Sequence, residues 1–90
     1  MVFDEPEFRG IGDVWNGPAQ WSTLEGLVRT RPGGWRNRIV SLRVGNTATM
    51  TVFTDTDFRG ESRLFAANTD QAQLERTFSE RIESVKLACR

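Results

Sequence analysis

The chain has no histidine, a single cysteine and no surplus of charge, with twelve Lys plus Arg against twelve Asp plus Glu in ninety residues. Each shortage excludes something. Without histidine, the commonest general base and a common metal ligand are missing. Cys89 alone cannot close an internal disulfide or build a thiolate metal site. Zero net charge sets up no global field that would recruit nucleic acid or an acidic membrane. No apolar run approaches the ~20 residues that cross a bilayer, and the amino terminus lacks the basic-then-apolar order of a signal peptide. Catalysis has little to work with: the serines have no imidazole to activate them. A carboxylate pair such as Asp4 and Glu7 has no apolar setting that would tune a pKa. The expectation is a non-enzymatic protein with neither nucleic acid nor membrane as partner, folded as one domain over residues 1–90 around a modest core.

What the chain does have is an internal repeat. Phe3-x-x-x-x-Phe8-x-Gly10 recurs as Phe53-x-x-x-x-Phe58-x-Gly60, fifty positions later. Side chains alternate along a strand, so residues five apart face opposite sides of a straight one. The two rings of each copy share an environment only if the chain folds back between them. Asp4-Glu5-Pro6-Glu7 and Thr54-Asp55-Thr56-Asp57 have the composition of turns, so each copy is predicted to be a folded hairpin. The same offset matches Val14 with Leu64, Trp15 with Phe65, Leu24 with Leu74 and Glu25 with Glu75. It then shortens to forty-three, where Trp35 to Val44 aligns with Phe78 to Leu87. A duplicated supersecondary unit explains this, with a longer loop in the first half within Gly26 to Gly34.

The local pattern is β-rich. Strand candidates are Val2 to Phe3, Gly12 to Trp15, Ile39 to Val44, Met50 to Phe53, Ser62 to Ala66 and Ile82 to Leu87. Thr69 to Arg76 has room for a short helix in the second half, with Asp70 near its start as a cap. About four strands per half suggest two Greek keys, spanning about residues 1–46 and 47–90. The fold class is then all-β: a sandwich of about eight strands whose sheets cover each other's inner faces.

The aromatic hairpin followed by Trp35-Arg36-Asn37-Arg38-Ile39-Val40-Ser41-Leu42-Arg43-Val44 resembles the βγ-crystallin family. The second half, from Phe53 through Phe58-Arg59-Gly60-Glu61-Ser62 to Phe78-Ser79-Glu80-Arg81-Ile82-Glu83-Ser84, is the cleaner match, and the likeness covers essentially the whole chain. The resemblance implies a structural module and, for microbial members, calcium at two sites. Their mark is Asn/Asp-Asn/Asp-x-x-Ser/Thr-Ser in each key, with the fifth residue exchanged between keys. Calcium takes six to eight oxygens at roughly 2.3–2.6 Å, which two loops and nearby hairpin carbonyls can supply.

Against that pattern the chain is depleted. Arg36 stands at the first position, Asn37 fits the second, and Val40 replaces the hydroxyl residue at the fifth. In the second motif Ser79 and Glu80 open the sequence and Glu83 takes the fifth place. By the resemblance, the better candidate Ca2+ site combines Arg36 through its carbonyl, Asn37, Glu83 and the first hairpin, where Glu5 and Glu7 are available. The weaker site combines Ser79, Glu80 and Asp57 and loses a ligand at Val40. Arg36 and Arg38 flank Asn37 and oppose occupancy by a cation, so the expected affinity is weak, roughly 10⁻⁴–10⁻³ M, or negligible. An alternative stays open for every one of these residues. Val40 also reads as the first core residue of a strand, Ser41 and Ser84 as hydrogen-bonding partners of a hairpin, and Asn37 and Glu80 as turn caps.

Three further features are weighed at this level. Arg29, Arg31, Arg36, Arg38 and Arg43 crowd around Trp35, yet the acidic first hairpin compensates them and a solvated loop accounts for them. Trp15 matches Phe65 and belongs to the fold, whereas Trp21 has no aromatic counterpart and is the better candidate for an exposed sugar- or protein-binding surface. The Gly26 to Gly34 loop is the one obvious extra feature for a protease-inhibitor or toxin-like role. Met1 precedes the first strand by one residue, which suggests a domain cut from a longer protein with Met1 added for expression. Other domains of that protein, or an unidentified protein, are then the expected partners, secretion stays open as a localisation, and Cys89 reads as an inert tail residue, with a reactive thiol or an intermolecular partner as the alternatives.

Overall fold

The computed structural model describes residues 1–24 and 34–89. Among them, eight strands form in the order β1 (Val2–Glu5), β2 (Arg9–Asp13), β3 (Ala19–Trp21), β4 (Ser41–Arg43), β5 (Ala48–Asp55), β6 (Arg59–Phe65), β7 (Asp70–Gln71) and β8 (Ser84–Cys89). A single 3-10 turn at Pro6–Phe8 interrupts the first hairpin. The strands make two antiparallel sheets, β2-β1-β4-β7 and β3-β8-β5-β6. The chain is all-β, with almost no helix.

The alternation of side chains places the core. Along β5, Met50 and Val52 point inward, and along β8, Val85 and Leu87 do so while Lys86 lies outside. Val2, Leu24, Trp35, Ile39, Leu42 and Ile82 join them at 0% exposure, each stabilising the fold by roughly 1.5–3 kcal/mol of buried apolar surface. Trp35 aligns with Phe78, and Trp15 with Phe65; all four are buried. The repeat is therefore a repeat of core positions.

The two halves are interwoven. β3, from the first half, pairs with β8 through Ala19 opposite Leu87 and Trp21 opposite Val85. β7, from the second half, pairs with β4 through Leu42 opposite Gln71 and Arg43 opposite Asp70. Each sheet consists of three strands from one half and one borrowed from the other.

The hairpins fold back as the parity of the phenylalanines requires. The rings of Phe3 and Phe8 meet edge to face at 5.7 Å and 66°, and those of Phe53 and Phe58 at 5.6 Å and 68°. A cation caps each pair, Arg43 at 4.2 Å from the Phe8 ring and Lys86 at 4.5 Å from that of Phe58. Gly60 closes its hairpin at φ 80°, where a Cβ would run into the Thr54 hydroxyl.

Two expectations are corrected. Thr69 to Arg76 is not helical: Asp70–Gln71 is a strand, because pairing with β4 satisfies its backbone and sets Asp70 3.6 Å from the Arg43 guanidinium. Composition suited to a helix cap gives way to a sheet partner. The segments from Ile39 and Ile82 enter their strands only at Ser41 and Ser84. The residues before them instead offer their carbonyls to the opposite half, Ile39 and Val40 to Glu80 and Leu74, Ile82 and Glu83 to Asn37 and Leu24.

Candidate functional site

Asn37 and Glu80 occupy equivalent turns and share a left-handed backbone, with φ 57° and 59°. Asn tolerates this conformation because its short amide bonds locally. In both turns the backbone then crosses to the other half. The Asn37 N–H donates to the Ile82 carbonyl and the Glu80 N–H to the Ile39 carbonyl, each at 3.0 Å.

At the fifth positions the N–H stays within its own half and only the carbonyl crosses to the other. The Glu83 N–H donates to Phe53 O and its carbonyl accepts from Leu24 N, both at 2.9 Å. The Val40 N–H donates to Phe3 O at 2.9 Å and its carbonyl accepts from Leu74 N at 2.8 Å. Glu83 is thus flanked by the second hairpin and Val40 by the first.

Asn37 and Glu83, two members of the better candidate set, line one shallow cleft together with Thr54, Asp55, Glu61 and Glu80. Arg36, the third, reaches across to Glu83: its Nε and one terminal nitrogen both lie 2.8 Å from the same Glu83 carboxylate oxygen. Glu7, the fourth, is placed elsewhere. Its N–H donates to Ala72 O at 2.6 Å, its side chain pairs loosely with Arg9 at 3.9 Å, and the hairpin beside Glu83 is the second one. The weaker set divides similarly. Ser79 and Glu80 line an adjoining cleft with Leu74, Arg76 and Arg81, whereas the Asp57 N–H donates to Ser22 O at 2.7 Å.

The hydroxyls that end the two motifs are occupied. Ser41 Oγ donates to Glu5 O at 2.6 Å and accepts from Phe8 N at 3.2 Å. Ser84 Oγ donates to Asp55 O at 2.5 Å and accepts from Phe58 N at 3.1 Å. Both serines are fully buried, and each holds its own hairpin closed.

This donor set fits a divalent cation poorly. Val40 is buried and has no side-chain oxygen. The Glu83 carboxylate is taken by a guanidinium, and Ser41 and Ser84 are turned into the hairpins. Among the described residues no three Asp, Glu or Cys side chains group closely enough to hold a metal ion.

The remaining sequence features are placed as follows. Trp21 is half-buried against the core, its ring 5.0 Å from that of Trp15, so it is not the exposed platform expected. Arg36 and Arg43 are engaged by Glu83 and by Phe8 and Asp70. Arg29, Arg31 and the loop that starts at Gly26 lie outside the described residues, apart from Gly34 at its end. The sequence offered Arg36 as a carbonyl ligand and as a charge opposing a cation, and gave no direct sign of its bond to Glu83. The signal available was the opposite charge of two residues at positions exchanged between halves.

Solved structures superpose on nearly the whole chain. A βγ-crystallin domain from Flavobacterium johnsoniae matches with a TM-score of 0.78 at 22% identity, covering 99% of this chain and 92% of its own. One from Clostridium beijerinckii matches with 0.76 at 20%, covering 96% and 92%. A structure described under the evolution of the eye lens βγ-crystallin domain fold matches with 0.80 at 18%, covering 99% and 83%. No protein-family model and no curated protein sequence matches the chain. The fold is that of a βγ-crystallin domain.

Proposed function

We propose that this chain is a non-enzymatic structural module of βγ-crystallin type that binds Ca2+ weakly or not at all. The observation that carries the reading is the fate of the motif oxygens: Ser41 and Ser84 hold the hairpins and Glu83 is paired with Arg36. Where calcium would tie loops together, hydrogen bonds and an ion pair within the protein already do so. A ligand that binds only the folded state raises stability by mass action, so the reading has a direct test. Thermal melts in millimolar calcium and in chelator, at equal ionic strength, are expected to coincide or to differ by a degree or two. A calcium-induced rise of many degrees would sink the reading.

A further inference from the structure

β6 ends its sheet, with β5 on one side and no strand on the other among the described residues. Its residues from Arg59 to Leu64 are all exposed, and Leu64, at 64%, is the most exposed large apolar side chain among the described residues. Two bonds fix the direction of its backbone groups. The Glu61 N–H donates to Thr54 Oγ1 at 2.9 Å, on the β5 side. Phe53, which stands opposite Ser62, gives its carbonyl to the Glu83 N–H, away from β6. Backbone groups of successive residues alternate in direction along an antiparallel strand, so Ser62 and Leu64 turn theirs to the open edge. An unpaired row of this kind is a template for another strand.

We propose that β6 is a self-association surface: two copies of the chain pair their β6 strands antiparallel about a twofold axis at Ser62, joining their sheets into one. Charge selects this register. With Ser62 opposite its own copy, Glu61 faces the partner's Arg63 and Arg63 faces the partner's Glu61, and opposite charges directly across a strand pair are favourable. Because Ser62 pairs backbone to backbone, these neighbours form non-hydrogen-bonded pairs, in which side chains lie closest. Registers centred on Glu61 or on Arg63 would set like charges opposite each other. Arg63 also bonds Glu75 through one terminal nitrogen, and a guanidinium has donors to spare. Leu64 lies across from Gly60, which has no side chain to obstruct it. The equivalent strand of the first half lacks the pattern: Ile11 and Asp13 stand where Glu61 and Arg63 do, and Asp13 is buried and bonded to Trp15 Nε1. A twofold contact closes on itself and stops at a dimer. One strand pair is smaller than the interfaces of stable dimers, so the association is weak and rises with concentration.

Sedimentation equilibrium compares wild type, Glu61→Arg, Arg63→Glu and an equimolar mixture of the two variants, with far-UV circular dichroism as the check on folding. Reducing conditions keep the exposed Cys89 from cross-linking. Wild type is expected to rise from 10.2 kDa toward twice that mass as concentration increases. Each variant alone sets like charges across the axis and should associate at least about tenfold more weakly than wild type. The mixture restores opposite charges at both positions and should associate at least about tenfold more tightly than either variant alone. A wild-type chain that stays monomeric near millimolar concentration overturns the proposal, as does a mixture no tighter than its components. If a variant does not fold, cysteine cross-linking in a Cys89→Ser background decides. Ser62→Cys should form disulfide-linked dimers at least about tenfold faster than Leu64→Cys, which is also exposed but lies too far from its own copy across the axis to bridge. Equal rates would overturn the pairing.

Discussion

Asn37 and Glu80 are reciprocal partners across the molecule: each sits in a left-handed turn and donates its N–H to the carbonyl two residues beyond the other. Asn37 reaches Ile82 and Glu80 reaches Ile39, at 3.0 Å in both cases. The same exchange runs through Leu24 to Glu83 and Leu74 to Val40, and through Glu7 to Ala72 and Asp57 to Ser22. A duplicated sequence has become a pseudo-symmetric pair in which each copy satisfies the other's backbone.

Neither half should therefore fold alone. A fragment ending near Gly45 leaves β3 without β8 and β4 without β7, and buried backbone groups without partners are costly. Fragments 1–46 and 47–90, made separately, are expected to give coil-like circular dichroism and to regain a β spectrum on mixing. A β spectrum with a cooperative melt from either fragment alone would contradict this.

Ser84→Ala should destabilise the domain by about 1–3 kcal/mol, because it strands the Asp55 carbonyl and the Phe58 N–H in a part-buried hairpin. Ser41→Ala should cost a similar amount, since its bonds to Glu5 and Phe8 are equivalent. Urea denaturation measures both, and amide exchange at Phe58 and Phe8 shows whether the loss is local. A Ser84→Ala chain as stable as wild type would show that the hydroxyl does not hold the hairpin.

Gly60→Ala is expected to cost at least about 1 kcal/mol from the left-handed backbone alone, with the clash against Thr54 added. Gly45→Ala is the matched control: a Cβ there meets nothing within 4 Å, so the change should stay within about 0.5 kcal/mol. Equal effects at the two glycines would refute the steric account.

Much of the fold was legible because it is local or periodic. The phenylalanine parity dictated the hairpins, and the offset from fifty to forty-three put Trp35 and Phe78 in equivalent core positions. β3 and β7 were not legible. At three and two residues they are too short to show alternation, and they become strands only through partners more than twenty-five residues away. At the candidate site, Asn37 and Glu83 share a cleft as the motif suggested, but no local rule says which hairpin flanks Glu83. The exchange of strands decides it, and so Glu7 lies beside Ala72. The Arg36–Glu83 bond is hidden for the same reason, being a contact between loops that only the tertiary fold brings together.

The position of β8 has a consequence for how the chain is made. It is synthesised after the other seven described strands, yet it lies inside its sheet, between β3 and β5. Until Ser84–Cys89 has emerged, β5 and β6 wait as a hairpin with one flank open, and open flanks invite pairing with other chains. The sheet closes only once β8 slides between two strands already synthesised, so the risk of mispairing is concentrated before Ser84–Cys89 has emerged.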